Sequence, residues 1–220
     1  VFEYLDRSLF WKTYFRLMYY YGCRVSEPAI LFREDVSLER EQVLIRRLKK
    51  PQFRHRIEEV DGRRKRVRDE SKKLGDGFVE HVYGMPPGLV GLLKQHMQTL
   101  KGANPWLFPS PKKPRKASAA LERMSLIRRS EGFSAIGRHK AERVFVEAAE
   151  AAGVPENLRH SHTLRHTRAT LLLADGAKEE DVKDLLGHSS IAVTRGYLGV
   201  AKSMRLRRQT TAYLGLGDGW

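Results

Sequence analysis

The sequence predicts a mainly helical domain with a small antiparallel β-sheet, an α+β fold, in 220 residues. Three observations predict it. Apolar residues recur at helical spacing in several segments closed by glycine, two shorter segments read as strands, and a hydrophobic content of 41% suits a folded chain with one sizeable core. One compact domain is therefore expected.

The elements follow in order. Leu9 to Tyr21 (LFWKTYFRLMYYY) is rich in aromatics with apolar positions on most faces, which predicts a largely buried helix stopped by Gly22. A second helix is expected from near Ser26. Asp35 to Leu48 has a turn-like centre at Leu38 to Gln42 and then Val43, Leu44 and Ile45, the pattern of a hairpin leading into a strand. From Arg46 to Lys73 there are 13 Lys or Arg against 5 Asp or Glu and few apolar residues, so this stretch reads as a long basic loop. Residues 78–85 (FVEHVYGM) return as a strand, and Pro86-Pro87 lead into an amphipathic helix over about 88–100. The Pro-, Lys- and Arg-dense stretch 104–118 reads as a surface connection. Helices follow over 137–152, 162–174 and 178–186, with Ser161 as a cap and Gly153 and Gly187 as stops. The catalytic unit is placed at 1–199. The tail 200–220, mixed basic and apolar, is expected to find little of its own domain to pack against and to dock on a neighbouring subunit.

Charge narrows the partner. Forty-one Lys and Arg against 26 Asp and Glu leave a formal charge of +15, which points to a polyanion. Ribosomal, chromatin and membrane-surface proteins are basic too, so the motifs must decide. The single cysteine, Cys23, excludes an intramolecular disulfide and fits a reducing compartment. No apolar run approaches the roughly 18 residues of a membrane span, and the N-terminus lacks a signal-peptide pattern. A cytoplasmic protein, associated with the nucleoid when bound to DNA, is expected. The chain opens at Val1 without Met, which suggests a piece of a longer protein whose N-terminal DNA-binding domain lies outside it.

The chemistry-bearing residues cluster late in the chain: His162-Thr-Leu-Arg165-His-Thr, then Leu186-Gly-His188-Ser-Ser, then Thr194-Arg-Gly-Tyr197. His162 and Arg165 stand three apart, on one helix face, where both can reach a single phosphate. His188 follows a helix stop, and Tyr197 is expected about two turns into a short helix. Upstream stands Gly22-Cys-Arg24-Val-Ser-Glu27. Together these segments resemble the tyrosine recombinase (phage integrase) family, marked by G-x-R-x-S-E, a strand-borne lysine, H-x-L-R-H-T, L-G-H-S and a tyrosine shortly after. All are present in order, and Arg143 to Gly153 is similar to the family helix that precedes the H-x-x-R box.

Phosphodiester exchange requires residues of these types. Its pentacoordinate state carries extra negative charge on non-bridging oxygens, which guanidinium groups neutralise through paired hydrogen bonds, a role suited to Arg24 and Arg165. A phenol with a pKa near 10 must lose its proton as it attacks. The resemblance implies that Tyr197 is the nucleophile, His162 its proton acceptor, His188 a hydrogen-bond donor to the phosphate, and a strand lysine the proton donor to the leaving 5′ oxygen. Lys49 is favoured for that lysine by its place after VLIRRL, with Lys50, Lys65, Lys72 and Lys73 as the other candidates. Lys50, Arg63, Arg64, Lys65, Lys72 and Lys73 are the candidate DNA contacts. The resemblance further implies double-stranded DNA as substrate, self-association on it from dimer to tetramer, and no nucleotide, metal or other cofactor. The basic excursion after Lys50 departs from the family pattern, where many members have a short turn.

Plainer readings stand beside these. Arg24 could merely pair with Glu27, Arg165 could be a structural ion pair, Tyr197 a packing residue and His188 a polar residue at a helix stop. His160, His162, His166 and His188 could suggest a metal site, but no HExxH pattern or second cysteine accompanies them. Glu27 and Asp35 read as structural. Two rival functions remain: a non-enzymatic DNA-binding protein with a helix-turn-helix over 178–199, its recognition helix carrying Thr194 and Arg195, and a type IB topoisomerase.

Overall fold

A computed structural model describes residues 1–48, 52–60, 63–74, 78–111 and 133–213, with only the backbone of 52–60, 63–74 and 211–213. Helices Phe2–Leu5 (α1) and Leu9–Tyr21 (α2) open the chain. Tyr14, Phe15, Leu17 and Met18 of α2 are buried in the main core with residues of the sheet and the later helices, which is why its aromatics cover most faces. At Gly22 the helix stops in the left-handed conformation, φ 57°, and a Cβ there would lie 2.1 Å from Leu186 Cδ2. Glycine is needed twice over, for its backbone and for the closeness of a helix more than 160 positions away.

The helix expected near Ser26 is only a 3₁₀ turn at Pro28–Ile30. Tyr14 donates its hydroxyl hydrogen to the Val25 carbonyl, and the Glu27 carboxylate accepts from the Arg24 backbone at 2.9 Å. Groups a helix would have used are thus engaged elsewhere.

Strands Val36–Ser37 (β1), Gln42–Leu48 (β2) and Phe78–Gly84 (β5) form an antiparallel sheet in the order β1-β2-β5, with Val43 opposite Tyr83 and Leu48 opposite Phe78. Between β2 and β5, strands Gln52–Val60 (β3) and Arg63–Leu74 (β4) pair as a separate two-stranded ribbon. The basic loop read over 46–73 is therefore mostly strand. Charge masked the pattern, because a ribbon satisfies its own backbone by pairing and needs few apolar side chains. Arg46 and Arg47 are not part of a loop either: both are buried in β2.

Pro87–Thr99 (α3) follows as expected. The next segment does not behave as a surface connection throughout. Trp106, Leu107 and Phe108 are buried, the Leu107 N–H donates to Leu31 O at 2.9 Å, and His96 Nε2 contacts Leu107 O at 2.9 Å. Three consecutive apolar residues between prolines are enough to cross the core. Residues 112–118 of that reading lie outside the described residues.

Arg138–Ala151 (α4), His162–Ala174 (α5), Glu179–Leu186 (α6), Ile191–Arg195 (α7) and Leu198–Tyr213 (α8) complete the domain. Gly153 and Gly187 adopt φ 67° and 64° at the expected stops. Ser161 precedes α5 but makes no capping bond; its N–H and hydroxyl donate instead to Glu142 on α4, at 2.7 and 2.5 Å. The tail also differs from expectation. Ala201 is buried with Ala169, Leu173, Ala174, Val182 and Leu186, and Arg205 donates to the Leu173 and Ala174 carbonyls at the end of α5. No break falls at residue 200, since α8 starts at Leu198 and its first two turns belong to the domain. Among the described residues, no helix is long and apolar enough to cross a membrane.

Candidate active site

The site is built where the loop after α2, the start of α5, the α6–α7 turn and the α7–α8 junction meet. Arg24 Nη1 donates at 2.9 Å both to Glu27 Oε1 and to Leu48 O, the end of β2. Glu27 is fully buried and also accepts from Arg47 Nη1 at 2.9 Å and from the Leu48 N–H at 3.1 Å. The plain reading of an Arg24–Glu27 pair is thus correct as geometry, but the guanidinium is left partly open to solvent while its carboxylate is not. Glu27 is a structural hub that aims Arg24. Asp35, likewise structural, binds Arg46, whose Nη2 donates to Asp35 Oδ1 at 2.9 Å.

Arg165 is 2% exposed and its Nη1 donates to Gly22 O at 2.7 Å, which ties the arginine of α5 to the loop that carries Arg24. No carboxylate is bonded to it among the described residues, unlike the structural ion pair the plain reading would require. Burial first, then the Arg24 charge, pushes the Arg165 guanidinium down to about 10. It remains a cation at neutral pH. Partial desolvation of a ring that still faces solvent, reinforced by His166, Arg165 and Arg24, lowers His162 to about 4. His188 also falls to about 4, again by burial and then by Arg165 and Arg24. These shared causes place both imidazoles in the field of both arginines.

His188 Nδ1 lies 2.9 Å from Thr194 Oγ1, and its ring is stacked with Tyr197 at 6.1 Å between centroids. Tyr197 does not stand two turns into a helix: it occupies the junction between α7 and α8, immediately after Gly196. Burial raises its pKa while the Arg165 charge acts in the opposite sense. Arg24, His162, Arg165, His188 and Tyr197, spread over 174 positions, thus come together in one cluster around the two guanidinium charges.

Lys49 and Lys50 lie outside the described residues. Leu48, which precedes them, is the residue whose carbonyl holds Arg24. Arg63, Arg64, Lys65, Lys72 and Lys73 fall on β4, whose backbone path alone is described. Thr194 is fully buried and Arg195 donates to Glu179 at 2.8 Å, while α7 spans only five residues. A recognition helix presenting those two side chains is therefore overturned.

Sequence reasoning missed Arg47. Fully buried, its Nη2 donates at 2.6 Å to Tyr21 O and to Leu185 O, so it joins the end of α2 to the end of α6, just before His188. A Cβ on Gly187 would stand 3.2 Å from the Arg47 side chain, a second reason for glycine there beside its φ of 64°. Nothing local distinguishes this arginine from its neighbours in a basic stretch. Thr194, which orients His188, was also missed as a site residue; its spacing six positions on was the available signal.

The chain is similar to known proteins over most of its length. The model of the phage integrase family matches residues 3–204. A tyrosine recombinase of Thermosipho africanus is 26% identical over 196 residues, covering 89% of this chain and 52% of that protein. The tyrosine recombinase XerD of Bifidobacterium longum is 32% identical over 99 residues, 45% of this chain and 32% of its own length. The chain thus spans about half or less of these relatives. Among solved structures, XerA recombinase superposes with a TM-score of 0.63 at 21% identity, over 96% of this chain and 61% of that one. XerH recombinase on difH DNA superposes with 0.58 at 18% identity, over 96% and 50%. With a family match across nearly its whole length and the fold of these recombinases, the chain belongs to the phage integrase family of tyrosine recombinases.

Proposed function

We propose that this chain is the strand-cutting and rejoining unit of a site-specific DNA recombinase, with Tyr197 as its nucleophile. The observation that carries the reading is that Tyr197, stacked with His188 and in the field of Arg165, shares its site with His162 and Arg24, so that two guanidinium charges and two imidazoles stand together for one phosphate. Arg24 and Arg165 hold the non-bridging oxygens. In the tautomer whose Nδ1 accepts from the Thr194 hydroxyl, His188 carries its proton on Nε2 and donates it to the same phosphate. Tyr197 Oη attacks phosphorus and gives its proton to His162, which is neutral at physiological pH and so able to receive it. The bond to the 5′ oxygen breaks as the 3′-phosphotyrosyl bond forms, and Lys49 supplies the proton to the leaving oxygen. Reversal by a 5′ hydroxyl of another strand completes exchange. The phosphate bond is retained in the intermediate, so the energy of the cut is available for resealing.

Double-stranded DNA is the partner proposed, contacted through Lys50, Arg63, Arg64, Lys65, Lys72 and Lys73 as well as the site around Tyr197. Exchange between two duplexes requires several copies, dimer to tetramer, and the distal turns of α8, where Leu206 is 65% exposed, are the segment offered to a neighbour. Such a protein works in the cytoplasm, on the nucleoid.

The test incubates the protein with nicked or half-site duplex covering its native target and looks for a denaturant-stable adduct. Wild type is expected to give one and Tyr197→Phe none. Binding without an adduct from wild type, even with any N-terminal region restored, would reject the reading. A type IB topoisomerase would also form an adduct, but it would relax supercoiled plasmid without site preference, which a recombinase assay on the same plasmid separates.

A further inference from the structure

Two imidazoles flank the Tyr197 ring. His188 lies nearly parallel to it, at 16°, and His166 approaches at 5.3 Å between centroids with a tilt of 51°. His166 also meets His162 edge-on, at 4.6 Å and 85°. We propose that His166 is a positioning residue, whose ring packs against both Tyr197 and His162 and holds the phenol at the angle from which it attacks beside its proton acceptor. The proposal rests on the reading of Tyr197 as nucleophile.

The two partners differ in how firmly they are held. His166 sits in the second turn of α5, next to Arg165, whose guanidinium is fastened to Gly22 O, and two positions before Arg168, whose Nε donates to Tyr20 O at 3.1 Å. That stretch of helix is pinned twice to the end of α2, so a ring on it is a fixed wall. Tyr197, by contrast, follows Gly196 in a short junction, where its N–H donates to Thr194 O and its carbonyl accepts from Ala201. Those bonds set its backbone and leave the two side-chain torsions to be set by what the ring touches. His166 is half-buried; desolvation, then His160 and Arg165, lowers its pKa, so it packs as a neutral aromatic wall and not as a further cation competing for the phosphate. A nucleophile misplaced by about 1 Å loses on the order of a hundredfold in rate. A ring placed to prevent that shift has a kinetic consequence that simple packing would not.

The experiment follows single-turnover adduct formation on the nicked duplex, with duplex affinity and thermal melting measured in parallel. His166→Ala is expected to slow the adduct by roughly tenfold to a hundredfold while leaving affinity within about twofold. His166→Phe, which restores a ring without its nitrogens, is expected to recover the rate to within a few-fold of wild type. Should the alanine variant melt, His166→Leu keeps side-chain volume without a ring and asks the same question. A wild-type rate in either ringless variant overturns the proposal, and so does a phenylalanine variant as slow as alanine, because the nitrogen would then be what matters. If wild type itself forms no Tyr197-dependent adduct, the nucleophile reading falls and this inference with it; an adduct indifferent to the ring sinks this inference alone.

Discussion

His162 and His188, held near pKa 4 in the folded chain against an ordinary value of 6.5, connect the site's charge to its stability. Above about pH 6.5 both states carry neutral imidazoles and the difference vanishes. As pH falls from 6.5 towards 4 the unfolded chain takes up protons that the folded one refuses, so stability is lost across that window. Thermal melts between pH 7 and 4 should fall, and a His162→Gln, His188→Gln variant should fall less steeply. The slope will not vanish, because burial lowers His96 and His166 in the same direction. An unchanged slope in the double variant would mean that the site does not depress these groups. The same charge crowding favours a bound phosphate, which would offset the field of Arg24 and Arg165 and return part of the lost basicity.

The β3–β4 ribbon is the element that sets this chain apart from a short-turn pattern. Its strands pair with Glu58 opposite Lys65 and Val60 opposite Arg63, and the sequence supplies no continuous apolar face for a core. An isolated two-stranded ribbon is marginal unless something covers it. Replacing 52–74 by a short Gly-Ser turn should therefore leave the rest of the domain folded and weaken duplex binding. If the five basic residues proposed on β4 touch phosphates, log affinity against log salt should become shallower by about 0.9 for each phosphate no longer neutralised. A slope equal to wild type would identify the ribbon as solvated surface. Helix α8 contrasts with it: its first turns are integral, through Ala201 in the core and Arg205 on the α5 carbonyls.

For the molecule as a whole, that makes the helix after Tyr197 part of the domain's stability as well as a candidate for contact between copies. A chain ending at Gly199 lacks Ala201, Met204 and Arg205 and should be less stable by roughly 2–4 kcal/mol in urea unfolding, from reduced burial and two missing hydrogen bonds. A chain ending at Arg208 keeps all three and should unfold like the full one. Equal stability of the two truncations would show that α8 is attached to the domain only through the chain.

The sequence by itself determined most of the helices with their stops at Gly22, Gly153 and Gly187, and the small antiparallel sheet with strands at Val43 to Ile45 and over 78–84. Those features are local: a glycine that ends a helix, a pair three positions apart on one face, or alternation along a strand acts within a few residues. Only the tertiary structure decided that Arg47 is a buried tie, that Trp106 to Phe108 cross the core, that Ser161 bonds Glu142 instead of capping, and that Tyr197 sits between helices. The first three depend on partners brought in from elsewhere in the chain, as Arg47 depends on Leu185 at a separation of 138 residues, and Arg165 likewise depends on Gly22 at 143. A buried polar group takes whatever partner folding brings within reach, and composition near it carries no trace of that choice.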